Sequence, residues 1–265
     1  NKESIICGWN LIKKKLNKNQ TQFIPVDSEH FSIWYALNNN LNQNIEKIFL
    51  TASGGPLLNF PVKKYNRLNL NDILKHPTWK MGKKISIDSA TMMNKVFELI
   101  EAKKIFDIKY KKLSILIHPK SYLHAIVKFK DGMIKLIAHD TTMEIPILNT
   151  LKFSSNNKNL KKLDLFKLNN LNLKFIDEKK YPSIKIIKKL SNKDSLFETV
   201  IVSANDTLVD LFLKKKIKFT QISEKLIKFI NKPKYAKMKH LKPKSIEEII
   251  KLNEDVRLKI HKESI

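Results

Sequence analysis

The feature of this sequence that most restricts its fold is a change in hydrophobic pattern near residue 152. Before it, short apolar runs at 45–51, 113–117 and 124–130 have the length and composition of β-strands, with helical spacing between them. Beyond Pro182 the apolar residues recur at helical spacing alone. The pattern predicts an α/β fold, an α+β domain with a mixed sheet, followed by a C-terminal helical bundle.

Local signals add detail to both parts. An Asp-Gly pair at 131–132 predicts a hairpin between two strands. Ser89 stands where the N-cap of a helix over 91–106 would stand. We also predict a helix over 3–19, short strands over 22–26 and 84–87, an irregular linker over 153–178, and C-terminal helices over 184–190, 207–213, 222–230 and 246–260.

The formal net charge of +26 invites a nucleic-acid-binding interpretation. However, of the 51 basic residues only Arg67 and Arg257 are Arg, the residue whose planar fork suits phosphate and base readout. Lys is spread along the chain together with abundant Asn and Ile, as in an AT-rich coding sequence. We therefore interpret the charge as background on a solvated surface and expect no nucleic-acid partner. The alternative, a basic RNA- or ribosome-binding protein, predicts a polynucleotide affinity that falls steeply with salt.

Cysteine content and apolar run length indicate the compartment. Cys7 is the one cysteine, which excludes an internal disulfide and fits a reducing environment. No apolar run approaches the ~18 residues of a membrane span, and the first residues do not read as a signal peptide. We expect a cytoplasmic bacterial protein in preference to a plastid one, with no membrane partner.

Two carboxylates follow the predicted strand at 22–26. Asp27 and Glu29 are two residues apart, so at the end of a strand their side chains point the same way. Convergent carboxylates can hold a hard divalent cation with oxygen ligands. The alternative is a pair of solvated loop charges.

A second cluster surrounds the start of the helix predicted over 91–106. Asn94, Lys95 and Glu98 share adjoining parts of one helix face. Ser89 is near the helix N-terminus, where backbone N–H groups and the dipole attract anions. These groups suit a phosphate, and Glu98 would add a third carboxylate for the metal. The alternative is an ordinary capped amphipathic helix.

Two loops carry weaker signals. The Ser-Gly-Gly-Pro loop at 53–56 follows a strand and lets a ligand approach the backbone, although most such loops are simple turns. Residues 76–82 set His, Trp and Met beside Pro and Gly, a composition that suits a mobile lid or a buried Trp in a loop. His118 and His124 straddle a further loop, and a lone His is more often structural than catalytic.

In combination these segments are far more specific than any one of them. They are, in order, Asn1-Lys2-Glu3-Ser4, Val26-Asp27-Ser28-Glu29-His30, Ser53-Gly54-Gly55-Pro56, His76-Pro77-x-Trp79-x-Met81-Gly82 and Asp88-Ser89-Ala90-Thr91-Met92-Met93-Asn94-Lys95. The series resembles the 1-deoxy-D-xylulose 5-phosphate reductoisomerase family. The resemblance runs to the end of the chain, more weakly beyond about residue 150, where 202–206 is a softened version of the family's Asn-Ala-Ala-Asn-Glu stretch.

The resemblance implies a two-step reaction on a phosphosugar. The family isomerises 1-deoxy-D-xylulose 5-phosphate and reduces the product with NADPH to 2-C-methyl-D-erythritol 4-phosphate, in isoprenoid precursor biosynthesis. It implies that Asp27, Glu29 and Glu98 hold Mg²⁺ or Mn²⁺, and that these residues and Lys2 are catalytic. The implied substrate-binding residues are Lys2, Ser28, Glu29, Ser53, His76, Trp79, Met81, Ser89, Asn94, Lys95 and Glu98. The implied cofactor-binding residues are Asn1, Glu3 and Gly82.

The chain also departs from the family pattern. It contains no G-x-G-x-x-G, the fingerprint of the family's doubly wound NADPH-binding domain, so that domain is expected to be largely absent. Val96 stands where the family usually has Gly, and Thr-Thr-Met at 141–143 replaces Pro-Asp-Met. We expect a fragment that binds metal but does not reduce substrate alone. The alternative is a non-catalytic remnant of the enzyme.

The resemblance also divides the chain into domains. Residues 1–26 are expected to be the end of the NADPH-binding domain, with apolar surface left exposed. The metal- and substrate-binding domain is expected over 27–152, a linker over 153–178 and the helical domain over 179–265. By resemblance we expect a homodimer.

Overall fold

The computed structural model describes residues 1–37, 44–74, 79, 81–151 and 162–264. Helices surround one sheet in the first half, and helices alone follow it, as predicted. The helices are α1 (Lys2–Lys18), α2 (Ser28–Leu37), α3 (Leu70–Leu74), α4 (Lys83–Ala90), α5 (Met93–Phe106), α6 (Glu144–Thr150), α7 (Phe197–Leu213), α8 (Phe219–Ile230), α9 (Pro233–Ala236) and α10 (Ile246–Ser264). No helix of the described residues is long and apolar enough to cross a membrane.

The sheet is mixed, which confirms the predicted class. Its strands are β1 (Ile45–Ala52), β2 (Leu113–Ile117), β3 (Leu123–Phe129), β4 (Ile134–Ala138) and β5 (Lys174–Phe175), in the order β4-β3-β1-β2-β5. Among the strands that the structure describes, only β1 and β2 pair in parallel. Strands β3 and β4 form the hairpin that Asp131-Gly132 predicts, and Gly132 adopts a positive φ of 90° in its turn.

Helix α5 forms the centre of the molecule, and almost all of its side chains are buried. One hydrophobic cluster runs from α1 through the sheet and α5 to α7, α8 and α10. Helix α1 contacts α5 and α7, and its Ile6, Cys7 and Trp9 are buried. The expected exposed apolar surface on α1 is therefore covered by these helices. The domain boundaries stay a prediction.

Two of the predicted strands are wrong. Residues 22–26 lie outside the sheet, and Phe23 instead packs its ring on Trp9 with centroids 5.1 Å apart. Residues 84–87 lie in α4, although their apolar-polar alternation is that of a strand. Helix α4 places Ile87 in the core, and the Ser86 hydroxyl donates to the Gly82 carbonyl at 3.0 Å, so tertiary packing overrides the local pattern.

The other differences concern helix boundaries and the predicted linker. Ser89 lies inside α4, and the N-cap of α5 is Met92, which has a positive φ of 63°. The predicted helix at 184–190 is a 3₁₀-helix, Pro182–Lys189. The end of the predicted linker contributes β5, which pairs with β2, while residues 152–161 lie outside the described part.

Candidate active site

Three carboxylates from two helix starts converge. Asp27 directly precedes α2, Glu29 lies in its first turn, and Glu98 lies on the second turn of α5. One oxygen of each lies within 4.8 Å of the others. The sequence analysis predicted that Asp27 and Glu29 converge because they follow a strand. They do converge, but at the start of a helix that begins directly after Asp27. The Phe31 amide donates to the Asp27 carbonyl at 2.7 Å, the first bond of that helix.

Two lysines are held between these carboxylates. Lys95 Nζ lies 2.6 Å from Glu29 Oε1 and also pairs with Glu98. Lys2 Nζ, from the first turn of α1, lies 3.3 Å from Asp27 Oδ2 and 3.6 Å from Glu98 Oε1. The surrounding ammonium groups lower the pKa of Asp27 and of Glu29, although burial alone would raise both. The two lysines therefore hold the carboxylates together by charge.

A fourth carboxyl group, Glu101, lies one turn further along α5. Its Oε2 is buried, 4.0 Å from Lys2 Nζ, with no hydrogen-bond partner among the described residues. We call the group formed by Asp27, Glu29, Glu98, Glu101, Lys2 and Lys95 the acidic centre. Burial raises the pKa of Glu98, with the Glu29 charge as the next contribution, and burial likewise raises the pKa of Glu101; each is about 7.

The acidic centre fits a divalent cation. Four carboxyl groups face two ammonium groups, so the fully ionised centre has an excess of two negative charges. Oxygen ligands alone favour a hard ion such as Mg²⁺ or Mn²⁺. Burial, with a smaller contribution from neighbouring carboxylates, raises the pKa of Glu98 and of Glu101, and a bound cation would stabilise their ionised forms.

A half-open cavity of about 300 Å³ lies beside the acidic centre. Eleven of the predicted site residues line it: Lys2, Asp27, Ser28, Glu29, Ser53, Trp79, Met81, Ser89, Asn94, Lys95 and Glu98. The sequence reasoning had singled out Gly54 and Gly55 as a place where a ligand can approach the backbone. It assigned no role to the other lining residues: Thr51, Ala52, Ile85, Met92, Ser121, His124 and Met143. The position of Thr51 at the end of β1, just before the glycine loop, was the one signal available for it.

The glycine loop and α4 meet at the wall of the cavity. Gly55 has a positive φ of 66°, and a Cβ there would lie 2.8 Å from the Ser89 carbonyl oxygen. Glycine is therefore required by both backbone conformation and space. The Ser53 hydroxyl accepts from the Gly55 amide at 3.0 Å, which stabilises the turn of the glycine loop.

Asn94 and Lys95 point toward the carboxylates. Asn94 accepts from Lys2 Nζ at 2.9 Å and donates to Glu98. Val96 is fully buried in the hydrophobic core and does not line the cavity. The Val96 side chain, at the position where the family usually has Gly, therefore packs in the core and not in the cavity.

The remaining predicted residues lie outside the cavity lining or outside the described residues. Asn1 caps α1 by accepting from the Ser4 amide at 3.1 Å. Glu3 pairs with Lys84 at 2.7 Å, and Gly82 is the N-cap of α4. His76 lies outside the described residues.

Comparisons with known proteins agree with this geometry. The 1-deoxy-D-xylulose 5-phosphate reductoisomerase C-terminal domain model matches residues 23–106, and the DXP reductoisomerase C-terminal domain model matches 140–259. The 1-deoxy-D-xylulose 5-phosphate reductoisomerase of Pelagibacter ubique is 62% identical over all of this chain, which spans 69% of it. That of Wolbachia pipientis from Culex pipiens is 42% identical over 84% of this chain and 58% of its own length.

Solved structures give the same result for the fold. A DOX-P reductoisomerase in complex with NADPH, fosmidomycin and magnesium superposes with a TM-score of 0.90 at 30% identity. The match covers all of this chain and 68% of that one. The Zymomonas mobilis enzyme in complex with NADPH gives a TM-score of 0.86 at 30% identity, over all of this chain and 67% of that one. In sequence and in fold, this chain belongs to the 1-deoxy-D-xylulose 5-phosphate reductoisomerase family.

Proposed function

We propose that this chain provides the metal- and substrate-binding part of an NADPH-dependent reductoisomerase of isoprenoid precursor biosynthesis. The reaction isomerises 1-deoxy-D-xylulose 5-phosphate and reduces the product to 2-C-methyl-D-erythritol 4-phosphate. The observation that carries the proposal is the convergence of Asp27, Glu29 and Glu98 beside a cavity. The relatives named above are bacterial, and we propose a cytoplasmic location.

Asp27, Glu29 and Glu98 would hold Mg²⁺ or Mn²⁺. The ion, when bound, supplies a positive charge that polarises substrate oxygens. Ser28 donates to Glu29 Oε2 at 2.6 Å and so orients that carboxylate. Lys2 lies between three carboxyl groups and would contact the substrate near its reacting carbons.

The part of the cavity where the glycine loop meets α4 would bind the phosphate group. Ser53 and Ser89 provide hydroxyls there, and Asn94 and Lys95 would add an amide and an ammonium group from the side of the acidic centre. His76 would join them, and Trp79 and Met81 would cover the substrate. Fixing the phosphate in this way orients the reacting carbons relative to the acidic centre.

We assign the nicotinamide-facing side to Asn1, Glu3 and Gly82. The ion pair between Glu3 and Lys84 brings the start of α1 to the start of α4, so these three residues share one end of the molecule. This arrangement supports the assignment of residues 1–26 to the end of an NADPH-binding domain.

We also propose a homodimer formed through the sheet. Strand β4 is at one edge of the sheet and exposes Ile134 and Leu136, and Met133, directly before the strand, is 65% exposed. Ile147 and Leu151 of α6 are exposed as well. A sheet edge with unpaired backbone groups and apolar side chains favours pairing with a second copy. Sedimentation at increasing protein concentration should give a dimer, and Leu136→Lys should shift it to monomer.

The function is tested by binding of fosmidomycin, measured by titration calorimetry with Mg²⁺ and with EDTA. Since the carboxylates would hold the ion and the ion would hold the ligand, we expect affinity to fall at least 100-fold in EDTA and equally in Asp27→Asn. Asp210→Asn changes an exposed carboxylate and is the matched control. Equal affinity with and without Mg²⁺ would refute the proposal.

A further inference from the structure

The glycine loop is held by a tyrosine from the C-terminal half of the chain. The Tyr181 hydroxyl donates to the Gly54 carbonyl at 2.8 Å. Tyr181 is 2% exposed, and its ring belongs to the hydrophobic cluster that runs through the molecule. It directly precedes the 3₁₀-helix Pro182–Lys189, and its amide donates to the Asp177 carbonyl at 3.0 Å. Core packing and backbone hydrogen bonds therefore fix the position of this hydroxyl.

The hydrogen bond from Tyr181 acts on one peptide unit of the loop. In a trans peptide the carbonyl oxygen and the amide hydrogen point in opposite directions. The carbonyl of the Gly54–Gly55 unit accepts from Tyr181, and its amide donates to the Ser53 hydroxyl at 3.0 Å. The unit is therefore held at both ends, by a core tyrosine on one side and by a serine that lines the cavity on the other.

The glycines themselves do not restrict the orientation of this peptide unit. Gly54 and Gly55 have φ angles of 90° and 66°, a region that glycine enters freely. A stiffer residue cannot take the place of Gly55, because its Cβ would meet the Ser89 carbonyl. The hydrogen bond from Tyr181 supplies the restriction that the residues of the loop lack.

The preceding residue holds the chain just beyond the loop. Lys180 Nζ donates to the Leu58 carbonyl at 2.6 Å and to the Phe60 carbonyl at 3.1 Å. Neither Lys180 nor Tyr181 lines the cavity. Since Lys180 keeps residues 58–60 attached, loss of the Tyr181 hydroxyl should release the glycine peptide without detaching the whole segment.

We propose that Tyr181 is a positioning residue: by holding the Gly54 carbonyl, it fixes the Gly54–Gly55 peptide unit and with it the Ser53 hydroxyl, where the phosphate group of the ligand would bind. The inference rests on the proposed function, which places the phosphate group at this loop. It adds a residue of the helical half to a site whose lining runs from Lys2 to Met143.

The loop geometry is tested without a ligand by amide hydrogen exchange. The chain has five glycines, so selective ¹⁵N-glycine labelling gives at most five amide signals. In the unmodified chain we expect the Gly55 amide to be protected by its bond to Ser53. Tyr181→Phe removes only the hydroxyl, and we expect exchange of the Gly55 amide to become at least 10-fold faster, with Gly8 and Gly132 unchanged.

Tyr235→Phe is the matched control for this measurement. The Tyr235 hydroxyl is also buried, and it has no hydrogen-bond partner in the part of the chain that the structure describes. Its loss should leave the Gly55 amide protected. An unprotected Gly55 amide in the unmodified chain, or equal exchange in the two variants, would overturn the proposal.

The positioning role is tested by comparing the phosphate and metal ends of the cavity. Fosmidomycin carries a phosphonate group, so we expect Tyr181→Phe to bind it about 10-fold more weakly in Mg²⁺, measured by titration calorimetry. Mn²⁺ affinity, measured by electron paramagnetic resonance, should stay within about twofold. Tyr235→Phe should bind both as the unmodified chain does. Unchanged fosmidomycin affinity in Tyr181→Phe, or an equal loss of Mn²⁺ affinity, would refute the positioning role.

The outcomes separate this inference from the proposed function. No fosmidomycin binding by the unmodified chain in Mg²⁺ would refute the function, and the exchange measurement would still decide whether Tyr181 holds the loop. If Tyr181→Phe does not fold, nuclear Overhauser contacts in the unmodified chain decide the same question. Contacts between the Tyr181 ring protons and the Gly54 α-protons would support the proposal, and their absence would refute it.

Discussion

The two ends of helix α5 carry two buried charge clusters of different kinds. At its start lies the acidic centre, with two carboxylates in excess beside a cavity. In its last turns, Lys104 Nζ lies 2.8 Å from Asp194 Oδ1 and 3.7 Å from Glu198 Oε1, and Ser195 donates to Glu198. We call Lys104, Asp194 and Glu198 the structural cluster. None of its members lines the cavity.

The difference shows which buried charges signal binding. In the structural cluster, Lys104 pairs with Asp194 and lies near Glu198, and none of the three lines the cavity, so the group joins α5 to α7. In the acidic centre, three of the four carboxyl groups line the cavity. Carboxyl groups outnumber lysines two to one in both clusters, so neither burial nor the charge ratio separates them; access to the cavity does.

The largest expected effect is on the reactivity of Cys7, which lies near Thr199, Lys104 and Glu198. Burial raises the pKa of its thiol from 9.0 to about 12. Because only the thiolate reacts, alkylation at pH 8 should be about 1,000-fold slower in the folded chain than in denaturant, from charge state alone. The rate should increase with pH up to about 12. Fast native alkylation would show that the structural cluster is open to solvent.

Next in size is the stability change in Lys104→Met. Removing the lysine leaves buried carboxylates unpaired, so we expect a loss of about 3–5 kcal/mol in the free energy of unfolding, measured with urea. Mg²⁺ affinity should be unchanged. Lys214→Met breaks an exposed pair with Asp210 and should cost less than about 1 kcal/mol. If both variants lose the same stability, the cluster is not structural.

Asp27→Asn should weaken metal binding and leave stability almost unchanged, the reverse of Lys104→Met. Removing one of three convergent oxygen ligands should lower Mn²⁺ affinity by more than the ~10–100-fold typical of outer-shell changes, as measured by electron paramagnetic resonance titration. Stability without metal should change little, since Asp27 is partly exposed. Unchanged Mn²⁺ affinity would show that the acidic centre does not bind the metal through Asp27.

The smallest effect is expected for Glu98→Gln without metal. The pKa of Glu98 is raised from 4.5 to about 7 in the folded chain, so its contribution to stability is fully present below pH 4.5 and is lost as pH rises from 4.5 through 7. Gln keeps the shape of the protonated side chain, and at pH 8 in EDTA we expect the variant to be more stable by at least about 1 kcal/mol. At pH 4 the difference should vanish. Destabilisation at pH 8 would show that Glu98 is already compensated by its lysines.

Sequence reasoning predicted which side chains lie together better than it predicted their local structure, while the roles of those side chains stay a prediction. The motifs indicated that Asp27, Glu29 and Glu98 meet, as they do. However, the strand predicted before Asp27 is not formed, and Ile85 and Ile87 lie on a helix. Alternating apolar residues fit a strand, and only the core packing of α4 decides for a helix.

The stacking of the His124 ring on the His139 ring could not be predicted from the sequence. It depends on the register of β3 and β4, which shifts between Leu123 and Ala125, next to His124. The His139 amide then donates to the Tyr122 carbonyl at 2.9 Å. Nothing in the order of residues marks such an irregularity, since it arises from how two strands align in space.

The placement of Lys2 has a practical consequence. The second residue of the chain reaches the acidic centre from the first turn of α1, where Asn1 caps the helix. A substitution that weakens the first turn of α1, such as loss of the Asn1 cap, would therefore act on the acidic centre by moving Lys2 away from Asp27 and Glu98.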